Sequence, residues 1–69
     1  MNAREFVYEE REELAEMLVI QKKPFEIRTE NEEDAAALQR VMEKIRFVKA
    51  TVLTDYGLRV IPEERVCRV

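Results

Sequence analysis

Serine, histidine and tryptophan are missing from this 69-residue chain, and glycine and cysteine occur once each, as Gly57 and Cys67. With neither serine nor histidine, no Ser-His-Asp triad, Cys-His pair or imidazole general base can form. The chain is therefore expected not to be an enzyme. One glycine is too few for a P-loop or a dinucleotide fingerprint, which need several to bring backbone amides onto phosphate. One cysteine rules out an internal disulfide. Without imidazole it cannot complete a tetrahedral zinc site or the Glu-x-x-His sets of bundle di-iron centres. Neither metal nor cofactor is expected. Cys67 has only Arg65 and Arg68 close in sequence and no base to activate it, so it reads as a structural thiol. It stands third from the end, whereas a prenylated cysteine stands fourth.

Long apolar runs are missing too. The longest, Met17-Leu18-Val19-Ile20 and Ala35-Ala36-Ala37-Leu38, fall far short of the ~20 residues of a spanning helix. The first sixteen residues hold two Arg and six Glu, with no apolar h-region of a secretory signal. A cytoplasmic address and no membrane contact are expected. With Gly 1 and Pro 2 there is no flexible linker, and no internal repeat appears. A single α+β domain spanning 1–69 follows.

What is present falls into alternating periods. Ala3, Phe6, Val7, Leu14, Met17 and Leu18 lie on one arc at 100° per residue, the mark of an amphipathic helix. Gln21-Lys22-Lys23 before Pro24 would end it. Phe25-Glu26-Ile27-Arg28 alternates apolar with polar and predicts a short strand burying Phe25 and Ile27. Thr29-Glu30-Asn31-Glu32 has capping-box spacing, which starts a second helix at about Glu30. Its stripe is Ala35, Leu38, Val41, Met42 and Ile45, with carboxylates first and cations last, as the macrodipole favours.

Residues 47–54 and 58–61 predict a hairpin around Asp55-Tyr56-Gly57, with Gly57 as the left-handed residue and Thr54 opposite Leu58. Val52 would then face Val60, with Val48 and Ala50 beside them. Phe47, Lys49, Thr51, Leu53, Arg59 and Ile61 would share the other face. Pro62 is expected to interrupt the pairing, and residues 65–69 could add a last strand. The order is α-β-α-β-β, with two helices on one face of a three- or four-stranded sheet. Strands at Phe25 and Phe47, if paired in parallel, would need a right-handed crossover; antiparallel pairing is the alternative.

Charge carries the functional reading. On the first helix Glu5, Glu9, Glu12, Glu13 and Glu16 occupy one arc of about 100°. Six like-charge pairs stand at spacings of three or four, and neither Arg4 nor Arg11 has a carboxylate at those spacings. Each pair is unfavourable by ~0.2–0.5 kcal/mol, so the arrangement works against the isolated helix. Solvation and screening can absorb that repulsion; a basic partner surface would relieve it. Glu10, by contrast, points into the apolar arc and reads as a half-buried carboxylate near an arginine.

Residues 1–34 carry net charge −6 and residues 35–69 net +3. The leading expectation is a non-catalytic interaction protein, an inhibitor, adaptor or regulatory subunit, docking a basic protein through the five glutamates. The alternative is nucleic-acid binding by the hairpin, through Lys49, Arg59 and the tip residue Tyr56. Phe47, Leu53 and Ile61 are the expected self-association set of a homo-oligomer, because two helices cannot cover both sheet faces. Glu63-Glu64 reads as a solvated turn.

Overall fold

A computed structural model describes residues 2–63 of the chain. The first helical stretch starts where Asn2 caps it. The Asn2 side-chain oxygen accepts from the Glu5 amide at 3.2 Å, satisfying an amide that has no partner inside the helix. From there the backbone forms not one helix but three joined segments: α1 (Ala3–Glu9), α2 (Arg11–Ala15) and a π-helical segment (Glu16–Gln21). The break at Glu10, with φ −98° and ψ 16°, lies within the repelling carboxylates, between Glu9 and Glu12. Hydrogen bonding continues across it, from the Glu10 amide to the Phe6 carbonyl and from the Leu14 amide to the Glu10 carbonyl, both 2.9 Å. The π segment closes when the Lys22 amide donates to the Met17 carbonyl at 2.9 Å, five residues back. Lys22 then turns left-handed at φ 54°, the conformation of a helix C-terminal cap. Pro24 follows, as the sequence led us to expect.

Strand β1 (Phe25–Arg28) alternates half-buried Phe25 and Ile27 with exposed Glu26 and Arg28. Helix α3 (Glu32–Met42) begins later than the sequence suggests, and its cap is Asn31, not Thr29. The Asn31 side chain accepts from the Asp34 amide at 2.8 Å, while the Thr29 hydroxyl donates to the Asn31 carbonyl at 3.1 Å and so braces the cap. Asn outranks Thr as a cap. At the other end, Ile45 lies beyond the helix in the turn toward β2, yet it packs against the core.

β2 (Val48–Leu53) and β3 (Gly57–Pro62) form the hairpin, and β1 also pairs with β3. The sheet order is β1-β3-β2, antiparallel throughout. β1 and β2 therefore do not pair with each other in either direction: they run parallel with β3 between them, and α3 crosses from one edge to the other. The hairpin register differs by one residue from that expected, with Leu53 opposite Leu58, Val52 opposite Arg59 and Thr51 opposite Val60. A one-residue slip exchanges faces. Leu58, Val60, Thr51, Phe25 and Ile27 turn toward the helices, and Val52, Ala50, Arg59, Ile61, Glu26 and Arg28 turn away.

Lys49 bulges out between Val48 and Ala50, which shifts the register there by one residue. Pro62 does not interrupt the pairing; it is buried opposite Val48. Ladder bonds from the Thr54 amide to the Gly57 carbonyl and from the Glu63 amide to the Phe47 carbonyl set the alternation. They aim the proline nitrogen away from β2, past the end of β1, where no donor is needed.

The core is one cluster on one sheet face. Ala3, Leu14, Leu18, Leu38, Met42, Leu58 and Val60 are buried together, with Phe6, Val7, Val41 and Val48 packed around them. α3 lies on β2 and β3, α1 packs on α3, and the π segment touches β3. The fold is α+β, with all its helical segments on one side of a three-stranded sheet. The expected strand at 65–69 and Cys67 lie outside the described residues.

Candidate functional site

Helix periodicity places Ala3, Phe6, Val7, Leu14 and Leu18 on the core, and this forces the glutamates outward. Glu5, Glu9, Glu12, Glu13 and Glu16 are all exposed. From Glu5 to Glu16 they span about 16 Å of helix axis. The arginines of this stretch do not neutralise them. Arg11 lies over the Tyr8 ring, 4.2 Å from its centroid, and donates to the Tyr8 carbonyl at 2.7 Å, just before the break at Glu10. Among the described residues Glu16 is the one of the five carboxylates given a hydrogen bond, from the Gln21 amide group at 3.2 Å. That contact exists because the wider π turn brings residues five apart together. Glu10 is half-buried, as its place in the apolar arc implies.

The residues expected to bind nucleic acid are not brought onto one platform. Arg59 lies on the bare sheet face, between Glu26 on one neighbouring strand and Val52 on the other. Lys49 sits in the edge-strand bulge. Tyr56 is at the hairpin tip, with the Arg28 guanidinium 5.7 Å from its ring centroid. The expected self-association set is likewise divided. Ile61 is half-buried on the bare face and Leu53 faces the helix side, while Phe47 stands in the turn before β2. The apolar member of the bare face that the one-residue slip supplies is Val52, exposed there with Ala50 beside it.

Sequence reasoning did not find a cleft of about 470 Å³ where the hairpin tip meets the start of α3. Its walls include Glu30, Glu32 and Ala35 on one side and Leu53, Asp55 and Tyr56 on the other. Thr54 shapes the tip: its hydroxyl accepts from the Tyr56 and Gly57 amides at 3.3 and 3.1 Å and donates to the Glu26 carboxylate at 2.6 Å. Gly57 closes the cleft floor against β1, with a 3.1 Å bond from the Thr29 amide to the Tyr56 carbonyl beside it. Asp55-Tyr56-Gly57 was visible in the sequence as a turn; only the β1–β3 pairing brings Glu30 and Glu32 to it.

Among the described residues no group of three His, Cys, Asp or Glu is arranged to hold a metal ion, and no helix is long and apolar enough to cross a membrane. No protein-family model, curated protein or solved structure matches the chain.

Proposed function

We propose that this chain is a cytoplasmic, non-catalytic protein-interaction module, an inhibitor, adaptor or regulatory subunit, that docks a basic partner surface through α1, α2 and the π segment. The observation that carries this reading is Arg11. It is the cation nearest the middle of the acidic arc, and it is engaged by Tyr8 instead of by any glutamate. Glu5, Glu9, Glu12 and Glu13 thus keep their charge for an external partner. Complementary charge speeds encounter and fixes register more than it adds affinity, because covering hydrated carboxylates costs desolvation. Screening over about 8 Å at physiological ionic strength confines the effect to close approach. The proposal includes self-association, supported by a sheet face that no helix of the described residues covers and by two edge strands, β1 and β2.

The test is capture of partners from the source lysate at low salt by three proteins: wild type, Glu9→Lys with Glu13→Lys, and Lys49→Glu with Arg59→Glu. Proteins held by wild type and by the hairpin variant, but lost from the helix variant, are the expected result. Thermal melts should show Glu9→Gln with Glu13→Gln at least as stable as wild type, since two repelling charges are removed. Retention unchanged by the helix variant would retire the proposal, and nucleic acid lost from the hairpin variant would replace it.

A further inference from the structure

The cleft at the hairpin tip stands apart from the acidic helix and needs its own account. Its volume of about 470 Å³ is within the usual range of ligand sites, ~300–1,000 Å³. Two of its walls are apolar side chains that the fold leaves open, and a third, Ala35, is buried at 3% exposure. Leu53 is 50% exposed and Tyr56 is 66% exposed, although Leu53 faces the helix side of the sheet, and Ala35 lies at the base. Leu53 is left open because α3 starts only at Glu32, with its cap at Asn31.

Around this apolar lining stand Glu30, Glu32 and Asp55, and among the described residues no Lys or Arg lines the cleft. The start of α3 contributes a positive end worth roughly half an elementary charge. Its Asp34 amide is already satisfied by Asn31. Three carboxylates outweigh that half charge and the Arg28 guanidinium beside Tyr56 together, so an anion is repelled. The Tyr56 ring shows independently what it attracts: the chain's own Arg28 guanidinium lies 5.7 Å from its centroid, within the distance at which a cation is drawn to a ring face.

We infer that this cleft binds a guanidinium or ammonium group carried on an apolar stem, with the stem against Leu53, the cation at the Tyr56 ring in the place Arg28 takes in the free chain, and Glu30, Glu32 and Asp55 as its counter-charges. An arginine or lysine side chain of another protein has this chemistry, and so does a free small-molecule amine. The inference does not rest on the acidic helix as a docking face.

The experiment uses the full-length, 15N-labelled chain at physiological salt, titrated with three probes and followed by amide chemical shifts. The probes are N-acetyl-arginine amide, a short peptide whose one charge is a central arginine, and the same peptide with citrulline in its place. Citrulline keeps the stem and shape and removes the charge. Shifts concentrated in residues 29–35 and 53–57, with affinity at least about tenfold weaker for citrulline, are expected. Glu30→Gln with Glu32→Gln should weaken the arginine peptide by a similar factor, as should Tyr56→Leu, which keeps the apolar wall; both change exposed side chains. Binding by the peptide alone identifies a protein side chain as the ligand, and binding of the blocked amino acid as well admits a small amine. Equal binding of citrulline, shifts centred on residues 5–16, or no shift with any probe would overturn the inference. Loss of binding here leaves the lysate experiment on the acidic helix unaffected, so the two readings fail separately.

Discussion

Gly57 is needed for a reason other than the one its turn position suggests. Its φ of 156° lies at the margin of what an L side chain tolerates, and a Cβ built there would collide with the Ile27 carbonyl oxygen and meet the Thr29 nitrogen at 2.9 Å. The obstacle is the backbone of β1, which cannot step aside without opening the β1–β3 ladder. Asn, which relieves a left-handed turn residue at low cost, therefore brings no relief here. Gly57→Ala and Gly57→Asn should both destabilise by about 2 kcal/mol or more, because each adds the same Cβ to the same close approach. Urea denaturation of the two variants checks this: an Asn variant near wild type, with Ala well below it, would restore the simple turn explanation. Thr54 is the second residue whose role the linear sequence hides. Its hydroxyl joins the hairpin tip to Glu26, 28 positions earlier, and no local pattern announces so distant a partner.

At the scale of elements, the periodic signals were legible and the interruptions were not. Apolar arcs located the first helical stretch, β1 and α3 because burial on one face imposes a period that sequence records directly. The break at Glu10 and the π segment leave no such record, since arithmetic at 100° per residue assumes an unbroken helix. The pairing of Gln21 with Glu16 is a consequence of the wider turn. The hairpin slipped by one residue from its expected register because turn chemistry alone allows both alignments; Leu58 and Val60 share a face in either, and the slip sets Leu53 and Thr51 opposite them and turns Val52 to the other face. The five exposed glutamates of the candidate surface were readable as an arc, but the diversion of Arg11 to Tyr8 was not. The cleft was unreadable, being made by segments that meet only through the sheet. Two residues compete as the cap of α3, and substitution separates them. Asn31→Ala should cost about 1 kcal/mol, the usual loss for a cap, and Thr29→Ala should cost less, as it removes only a brace on the Asn31 carbonyl. Comparing denaturation midpoints decides it, and the reverse order would put the start of the helix back at Thr29.

For the molecule as a whole, the described helices lie on one side and leave Val52 exposed on the other, beside half-buried Ala50 and Ile61, with Glu26 next to Arg59 across the strands. A dimer or larger species is the expected outcome of light scattering after size exclusion at tens of micromolar. Val52→Lys should shift it toward monomer by setting a cation in the apolar part of that face. A monomer at every concentration, or a dimer indifferent to Val52→Lys, would remove this face from the account. The element order also fixes when the sheet can exist. Among the described residues β1 and β2 pair as strands with β3 and not with each other, and the pairs that tie β1 into the sheet join residues about thirty positions apart, Phe25 with Val60 and Arg28 with Gly57. Such distant pairing closes late. During synthesis, a chain leaving the ribosome has both outer strands and α3 before it has the strand that unites them. Until Gly57–Pro62 emerges, Phe25, Ile27 and Val48 have no ladder to join and remain available to chaperones. The birth of the fold is thus a single event, timed by the arrival of its central strand.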